Sequence, residues 1–425
     1  MRIRRTIGAV LIAAAATAAA AAAVPEPAGS GNAVTHWNDV ALEVLPVDPG
    51  LVVDSRGFAI MHAAIHDAVN GVDRRYQPYT ADLSSPGASL DAAVAAAARD
   101  VLVAVSPSQQ ARIESEYTAA LAAIPAGPAK EAGIALGQQS AEANLARRAD
   151  DGLASVGEPV YAATGDPGDY DFTPPFDVPP LGPLALFPGW GRLTPFAIEL
   201  DEHRLPGPDS LDSLRYALDF NLVKAVGKLH STVRTAEQTQ IAFFWFEFSP
   251  VGWNRIANTI VRQEHADPWK SARVLALVNF ALADGYIAGF DQKYHHRFWR
   301  PYTAIRRGDT DGNPLTRVDP NWLPLFSTET FFIPPVPDYP STHTVLGAAA
   351  AEVLIRNFGD HVTFDVTSGT LPGVTRRYHS FTQAAVENGL SRVYGGIHFL
   401  HAVNDGFRQG KGIGRDTARL LPREH

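Results

Sequence analysis

Residues 339–354 read YPSTHTVLGAAAAEVL, and the order of residue types in this stretch decides what it builds. Ser341 is a good N-cap, and the run that follows loses almost all polarity, as a buried helix does. A helix starting after Ser341 leaves the backbone N–H groups of Thr342 and His343 among the unpaired donors of its first turn, and such an end attracts anions. His343, on the first turn of so apolar a helix, is read either as incidental or as part of an anion site. The approach, PPVPDYPSTH over 334–343, is rich in proline, which fixes backbone direction and holds the helix start in place.

Outward from this stretch, apolar residues recur at helical spacing over Gly57–Val72, Leu90–Val105, Pro107–Ile124, Pro128–Ala149, Ser210–Lys228, Thr235–Phe246, Trp253–Glu264 and Pro268–Lys293. Strand patterns are few. Val362–Val366 with Thr375–Tyr378, around Gly369 and Pro372, reads as a small hairpin. The fold class is all-α with that minor β-hairpin. One interruption, from about Gly152 to Pro208, is dense in Pro, Gly and Asp but also carries Phe and Trp, so it reads as a packed irregular crossing.

At 425 residues and 46% hydrophobic, the chain can bury a proper core. It has no cysteine, which excludes disulfides, thiolate metal sites, thiolate haem and cysteine nucleophiles. A net charge of −9 argues against a nucleic-acid partner, because a phosphate backbone requires a basic face. Any anion site must therefore be local. Arg2, Arg4 and Arg5 precede an apolar, alanine-dominated run to Ala23, the pattern of an export signal; the Arg4-Arg5 pair hints at twin-arginine export. Later apolar helices carry charged residues within each few turns, so no stable membrane insertion is expected.

Two further segments carry charge where an anion would want it. In DQKYHHRFWRP, 291–301, Lys293 and Arg300 share one face if the helix continues to Pro301, and Phe290, Phe298 and Trp299 mark the stretch as partly buried. Buried cations need a partner. In SRVYGGIHFLHAVNDG, 391–406, Arg392 precedes a Gly395-Gly396 pair that lets the backbone approach something closely, and His398 is expected at the start of a new helix. Lys293, Arg300, Arg392, Ser341, the Thr342 backbone N–H, His343 and His398 together fit a tetrahedral oxyanion or its trigonal-bipyramidal relative.

In order and spacing, Lys-x6-Arg-Pro (293–301), Pro-Ser-x-His (340–343) and Ser-Arg-x3-Gly-x-His (391–398) resemble the three-part signature of vanadium-dependent haloperoxidases and the related type 2 phosphatidic acid and acid phosphatases. The stretches MHAAIHDAVNGVDRRYQPY (61–79) and SARVLALVNFALADGYIAGFDQKYHHRFWRP (271–301) also resemble bacterial secreted members. The resemblance implies two helical bundles: an export signal over 1–23, an amino-terminal bundle with its crossing over 24–207, and a carboxy-terminal bundle over 208–425 carrying the anion. It implies vanadate as cofactor, with His398 bound to the metal at an apical position and Lys293, Arg300, Arg392, Ser341 and the Thr342 N–H on the equatorial oxygens. His343 would meet the opposite apical oxygen and relay protons as hydrogen peroxide binds, and Lys293 would polarise the peroxide for attack by halide. A small organic acceptor would follow. In the phosphatase alternative the same pocket binds a phosphate ester, with His398 as nucleophile and His343 protonating the leaving oxygen. A third alternative is an exported oxyanion-binding protein without turnover.

The chain departs from the family pattern at three positions. Thr342 stands where glycine is usual, so a β-branched side chain is expected to crowd the anion. Ala402 stands where many relatives have an aspartate that orients the last histidine, leaving Asn404 and Asp405 as nearby substitutes. Val336 stands where phenylalanine or histidine is usual. His62 and His66 have i,i+4 ligand spacing but share an apolar helix face, which favours core histidines. His295 and His296 are expected at the pocket mouth, and Asp309, Asp311 and Asn313 resemble a calcium loop that lacks its terminal glutamate.

Overall fold

A computed structural model describes residues 31–47 and 52–424. The export signal read over residues 1–23 lies outside them. Helix α1, Ala33–Val44, is closed by a capping box between Asn32 and Thr35; the periodicity reading above does not include it. Helices α2 (Val52–Val72), α3 (Leu90–Val105), α4 (Gln110–Ala122) and α5 (Pro128–Arg147) follow. Ser89 caps α3, and Pro128 opens α5 at a position where its missing N–H costs nothing.

The crossing from Gly152 to Pro208 is packed, as expected, with short 3-10 turns at Leu153–Ser155, Trp190–Arg192 and Leu200–His203. It is tied to the loops that carry the site: Tyr170 N–H donates to Arg297 O at 2.5 Å, Trp299 N–H to Gly168 O at 2.9 Å, and Leu186 N–H to Pro335 O at 2.8 Å. Then come α6 (Leu214–Val226), α7 (Ala236–Phe244), α8 (Ser249–Gln263), α9 (Pro268–His296), α10 (Pro301–Arg306) and α11 (Thr342–Phe358). The hairpin pairs β1 (Phe364–Thr367) with β2 (Thr375–Tyr378) in antiparallel register, Phe364 opposite Tyr378. Helices α12 (Phe381–Tyr394) and α13 (Leu400–Thr417) end the chain.

Helix α9 is the axis of the molecule. It is apolar on every side, and it alone among the described helices is long and apolar enough to cross a membrane, yet 94% of its most apolar window is buried inside the protein. That is how the core helix of a large bundle reads. The main apolar cluster runs from Val34 and Trp37 through Phe58, Leu275 and Phe280 to Leu354 and Leu421, so residues from both halves share it. Helix α13 lies against α11 at backbone distance. A Cβ on Gly410 would stand 2.2 Å from Val345 O, and one on Gly414 2.4 Å from Ala349 O. Alanine at either position would force these helices apart at the end that carries the anion motif.

Candidate oxyanion site

Lys293 occupies the last turn of α9 and is wholly buried, its Nζ donating to Pro337 O (2.6 Å) and Asp338 O (2.9 Å). Burial, with the nearby Arg300 guanidinium, holds its pKa well below the usual lysine value, and Asp338 opposes that shift. The helix does not continue to Pro301 as the sequence reading supposed. It ends at Arg297, which is left-handed with φ 54°, and Arg300 is the extended N-cap residue of α10. The physical reason is Pro301, which disfavours helical backbone at the residue before it. The break turns Arg300 inward. Its Nε donates to Val336 O (2.8 Å) and its Nη1 to Ile397 O (2.7 Å), so Val336 contributes through its main chain.

Ser341 is the N-cap residue of α11 by position, but its hydroxyl caps nothing. It accepts from Thr344 Oγ1 at 3.0 Å, which leaves its own proton free to donate. Thr342 is buried, and its methyl points at Gly289 on α9. The expected crowding of the anion is thus relieved on the helix opposite.

Arg392, in the last turn of α12, is buried between the rings of Phe246 and Phe326, 5.5 and 5.2 Å from their centroids. Nη1 donates to Trp245 O at 3.1 Å, whereas Nε and Nη2 are buried without a partner. Burial and the Arg300 charge push its pKa down to about 9. The Gly395-Gly396 pair does allow a close approach, but to protein. Cβ atoms there would meet the Phe326 ring at 2.3 Å and Gly227 O at 2.4 Å. His398 is not the first residue of a helix either: Phe399 is the N-cap residue and α13 begins at Leu400.

The two site histidines are held differently. His398 is buried, with Nε2 3.0 Å from Arg300 Nη1 and Nδ1 2.9 Å from Asp338 Oδ1. Burial first, then Arg300, Lys293, Arg392 and His343, hold its pKa well below the usual range, so it is neutral. His343 is only partly buried, and its Nε2 lies 3.0 Å from Glu247 O. A carbonyl only accepts, so Nε2 carries the hydrogen and Nδ1 keeps a lone pair. Burial and Arg392 also hold His343 well below its usual pKa.

Two participants escaped the sequence reading. Asp338 is wholly buried beside Arg300, Lys293 and His398, and burial raises its carboxyl pKa to about 6 against the pull of the two cations. Its signal was an acid inside the buried proline-rich approach. The Glu247 carbonyl belongs to backbone and had no signal. Asn404 and Asp405 do not substitute for Ala402. Asn404 is exposed, and Asp405 is committed to Tyr339 Oη (2.5 Å) and Arg408 (2.5 Å).

Outside the site, His62 Nε2 lies 3.0 Å from Asn38 Oδ1 and His66 Nε2 3.0 Å from Gln77 O, so the pair serves the core. Burial lowers the His62 pKa to about 3. His295 is exposed, and His296 packs edge-on against Tyr339 at 5.3 Å. Asp311 accepts from Thr316 Oγ1 (2.8 Å) and Asn313 N–H (2.9 Å), a local turn network. Among the described residues no group of three or more His, Asp or Glu side chains could hold a metal ion.

The site therefore brings together three buried cations, one buried carboxylate, two neutral imidazoles and an uncommitted hydroxyl. Its unpartnered guanidinium N–H groups and excess positive charge fit an oxyanion of more than one charge, including vanadate. Residues 273–423 match the family model described as the VCPO second helical-bundle domain. The chain is 26% identical over 490 residues to the vanadium chloroperoxidase of Curvularia inaequalis, covering 87% of this chain and 78% of that one. Among solved structures it resembles the first bacterial vanadium-dependent iodoperoxidase, with TM-score 0.79 and 24% identity over 93% of this chain and 98% of that one. It also resembles a holo-type bacterial vanadium-dependent chloroperoxidase, with TM-score 0.71 and 16% identity over 93% and 98%. Residues 273–423 thus match the second helical-bundle domain of that family model, and the fold of the chain is that of the solved bacterial vanadium-dependent haloperoxidases.

Proposed function

We propose that this protein is an exported vanadate-dependent haloperoxidase that uses hydrogen peroxide to oxidise halide. The observation that carries the reading is the burial of Lys293, Arg300 and Arg392 around a single carboxylate, Asp338. Such an excess of desolvated positive charge is costly unless an anion completes it. Bound vanadate would supply Lewis acidity toward peroxide without changing its oxidation state.

The chain's own groups then have distinct tasks. Arg300, the unpartnered Nε and Nη2 of Arg392, Lys293, the Ser341 hydroxyl and the Thr342 N–H would hold the oxygens, and His398 would offer Nε2 to the metal. His343, the more exposed imidazole, accepts a proton at Nδ1 while its Nε2–H stays on Glu247 O. Lys293 would polarise the oxidant toward halide. The neutral His398, whose unprotonated Nε2 meets Arg300 Nη1, also suits a phosphatase, in which it would be the nucleophile.

The test is bromide-dependent halogenation of a diketone with hydrogen peroxide, in phosphate-free buffer, with and without vanadate. Activity only with vanadate, suppressed by phosphate, is the expected result. Ester hydrolysis that vanadate inhibits would replace this reading with the phosphatase, and anion binding without turnover would leave a carrier. Export rests on residues 1–23, and amino-terminal sequencing of protein from the culture medium, expected to begin near Val24, checks it.

A further inference from the structure

Asp338 is pinned through its main chain, its N–H donating to Phe298 O at 2.8 Å and its carbonyl accepting from Lys293 Nζ at 2.9 Å. Its carboxylate is faced by the Phe399 backbone N–H, and Oδ1 lies 2.9 Å from His398 Nδ1 and 3.9 Å from Arg300 Nη1. Arg300 Nη1 lies against the same ring, 3.0 Å from Nε2 and 3.5 Å from Nδ1. A carboxylate accepts, so the close Asp338 contact puts the hydrogen of the neutral ring on Nδ1 and leaves Nε2 unprotonated. A guanidinium only donates, so an unprotonated Nε2 also suits its shorter contact with Arg300.

A carboxylate in this position also works against the site. It places a negative charge among the groups that attract the anion, so a pocket meant only to hold anions by charge would bind better without it. Its presence calls for a task that depends on direction. Holding a ligating imidazole by its second nitrogen is such a task.

We propose that Asp338 is the positioning residue of His398: by holding Nδ1–H it fixes the ring so that the Nε2 lone pair faces the cation cluster, and so makes the site prefer an oxyanion that bonds to nitrogen, vanadate, over one held by charge alone, phosphate. The assignment rests on the oxyanion reading above and deepens it.

Calorimetric titration of the full chain with orthovanadate and, separately, inorganic phosphate tests it. Asp338→Ala is expected to weaken vanadate by about 10- to 100-fold, the usual effect of losing the partner of a metal-bound histidine. The same change leaves phosphate unchanged or tighter, because a negative charge is gone. In a His398→Ala background, Asp338→Ala should cause no further loss of vanadate affinity, since the ring it positions is absent. Asp338→Asn, nearly isosteric and still an acceptor for Nδ1–H, covers the case in which the alanine variant does not fold. It should lower the vanadate-to-phosphate affinity ratio by less than the alanine variant but measurably. Equal weakening of both anions, an unchanged ratio in the asparagine variant, or the same vanadate loss without His398 would make Asp338 merely structural and overturn the assignment while the oxyanion reading stands. A wild-type chain that binds neither anion would instead remove the oxyanion reading, and this assignment with it.

Discussion

The methyl group of Thr342 fills the space that a side chain on Gly289 would need: a Cβ on Gly289 would stand 2.5 Å from Thr342 Cγ2. The β-branched residue at the proposed anion-binding turn is thus matched by a glycine on α9, and the threonine N–H stays available. Gly289→Ala is expected to destabilise the fold by about 1–3 kcal/mol through overpacking and to weaken phosphate binding by shifting the start of α11. Adding Thr342→Gly should restore most of both. Melting curves and phosphate titrations of the two single variants and the pair check this, and strictly additive losses would show that the residues do not compete for space.

The fold was largely legible because the signals that make it are local. The periodic stretches from α2 to α9 appear as helices with ends within a few residues, and the hairpin keeps its β2 strand, Thr375–Tyr378, as read. The site was legible as a set of residues but not as geometry. Lys293 and Arg300 do meet, but through a left-handed break at Arg297 rather than along one helix, because Pro301 acts on the residue before it. Asp338 stayed hidden because its role depends on a ring 60 positions away, and no local pattern encodes that pairing. Helix α1 escaped because it is short and its capping box, Asn32 with Thr35, uses a threonine in place of the usual Glu or Gln.

Arg392 offers a test of shape against charge. Lysine at this position would keep the positive charge but lose the planar fork between Phe246 and Phe326 and the free Nε and Nη2 donors. Arg392→Lys is expected to fold and to bind phosphate about tenfold or more weakly, or roughly 1.4 kcal/mol. Unchanged affinity in the same titration would mean that these N–H groups do not face the anion.

Asp284, buried on α9, accepts N–H bonds from Phe196 and Ala197, each at 2.7 Å, so it ties the crossing to the core helix. Burial pushes its carboxyl pKa up from 3.8 to about 7, against the effect of those bonds. Between these values the folded chain holds a proton that the unfolded chain has released. The resulting stability is full below the lower value and falls as pH rises through the window. Asp284→Asn removes the titration, so its melting temperature should fall less than that of the wild type between pH 4 and 7, by several degrees. An equally steep decline in the variant would assign the pH dependence to other groups.

His343 separates binding from turnover. Its Nε2–H is spent on Glu247 O, its Nδ1 is free, and it is the more exposed of the two site imidazoles, so a proton taken at Nδ1 can pass to solvent. None of the groups proposed to hold the anion is hydrogen-bonded to its ring, which bonds to Glu247 O. Removing the ring should leave the cations, Ser341 and His398 where they are. His343→Ala is therefore expected to bind vanadate within about threefold of the wild type and to lose about 10²- to 10⁴-fold in kcat for halogenation, the range for a lost general acid–base group. The two readouts are compared on one preparation, by vanadate titration and by steady-state rates at saturating peroxide. A kcat that does not change would sink the relay role, and a vanadate affinity that collapses with the rate would make His343 part of the anion's hold, not its proton carrier.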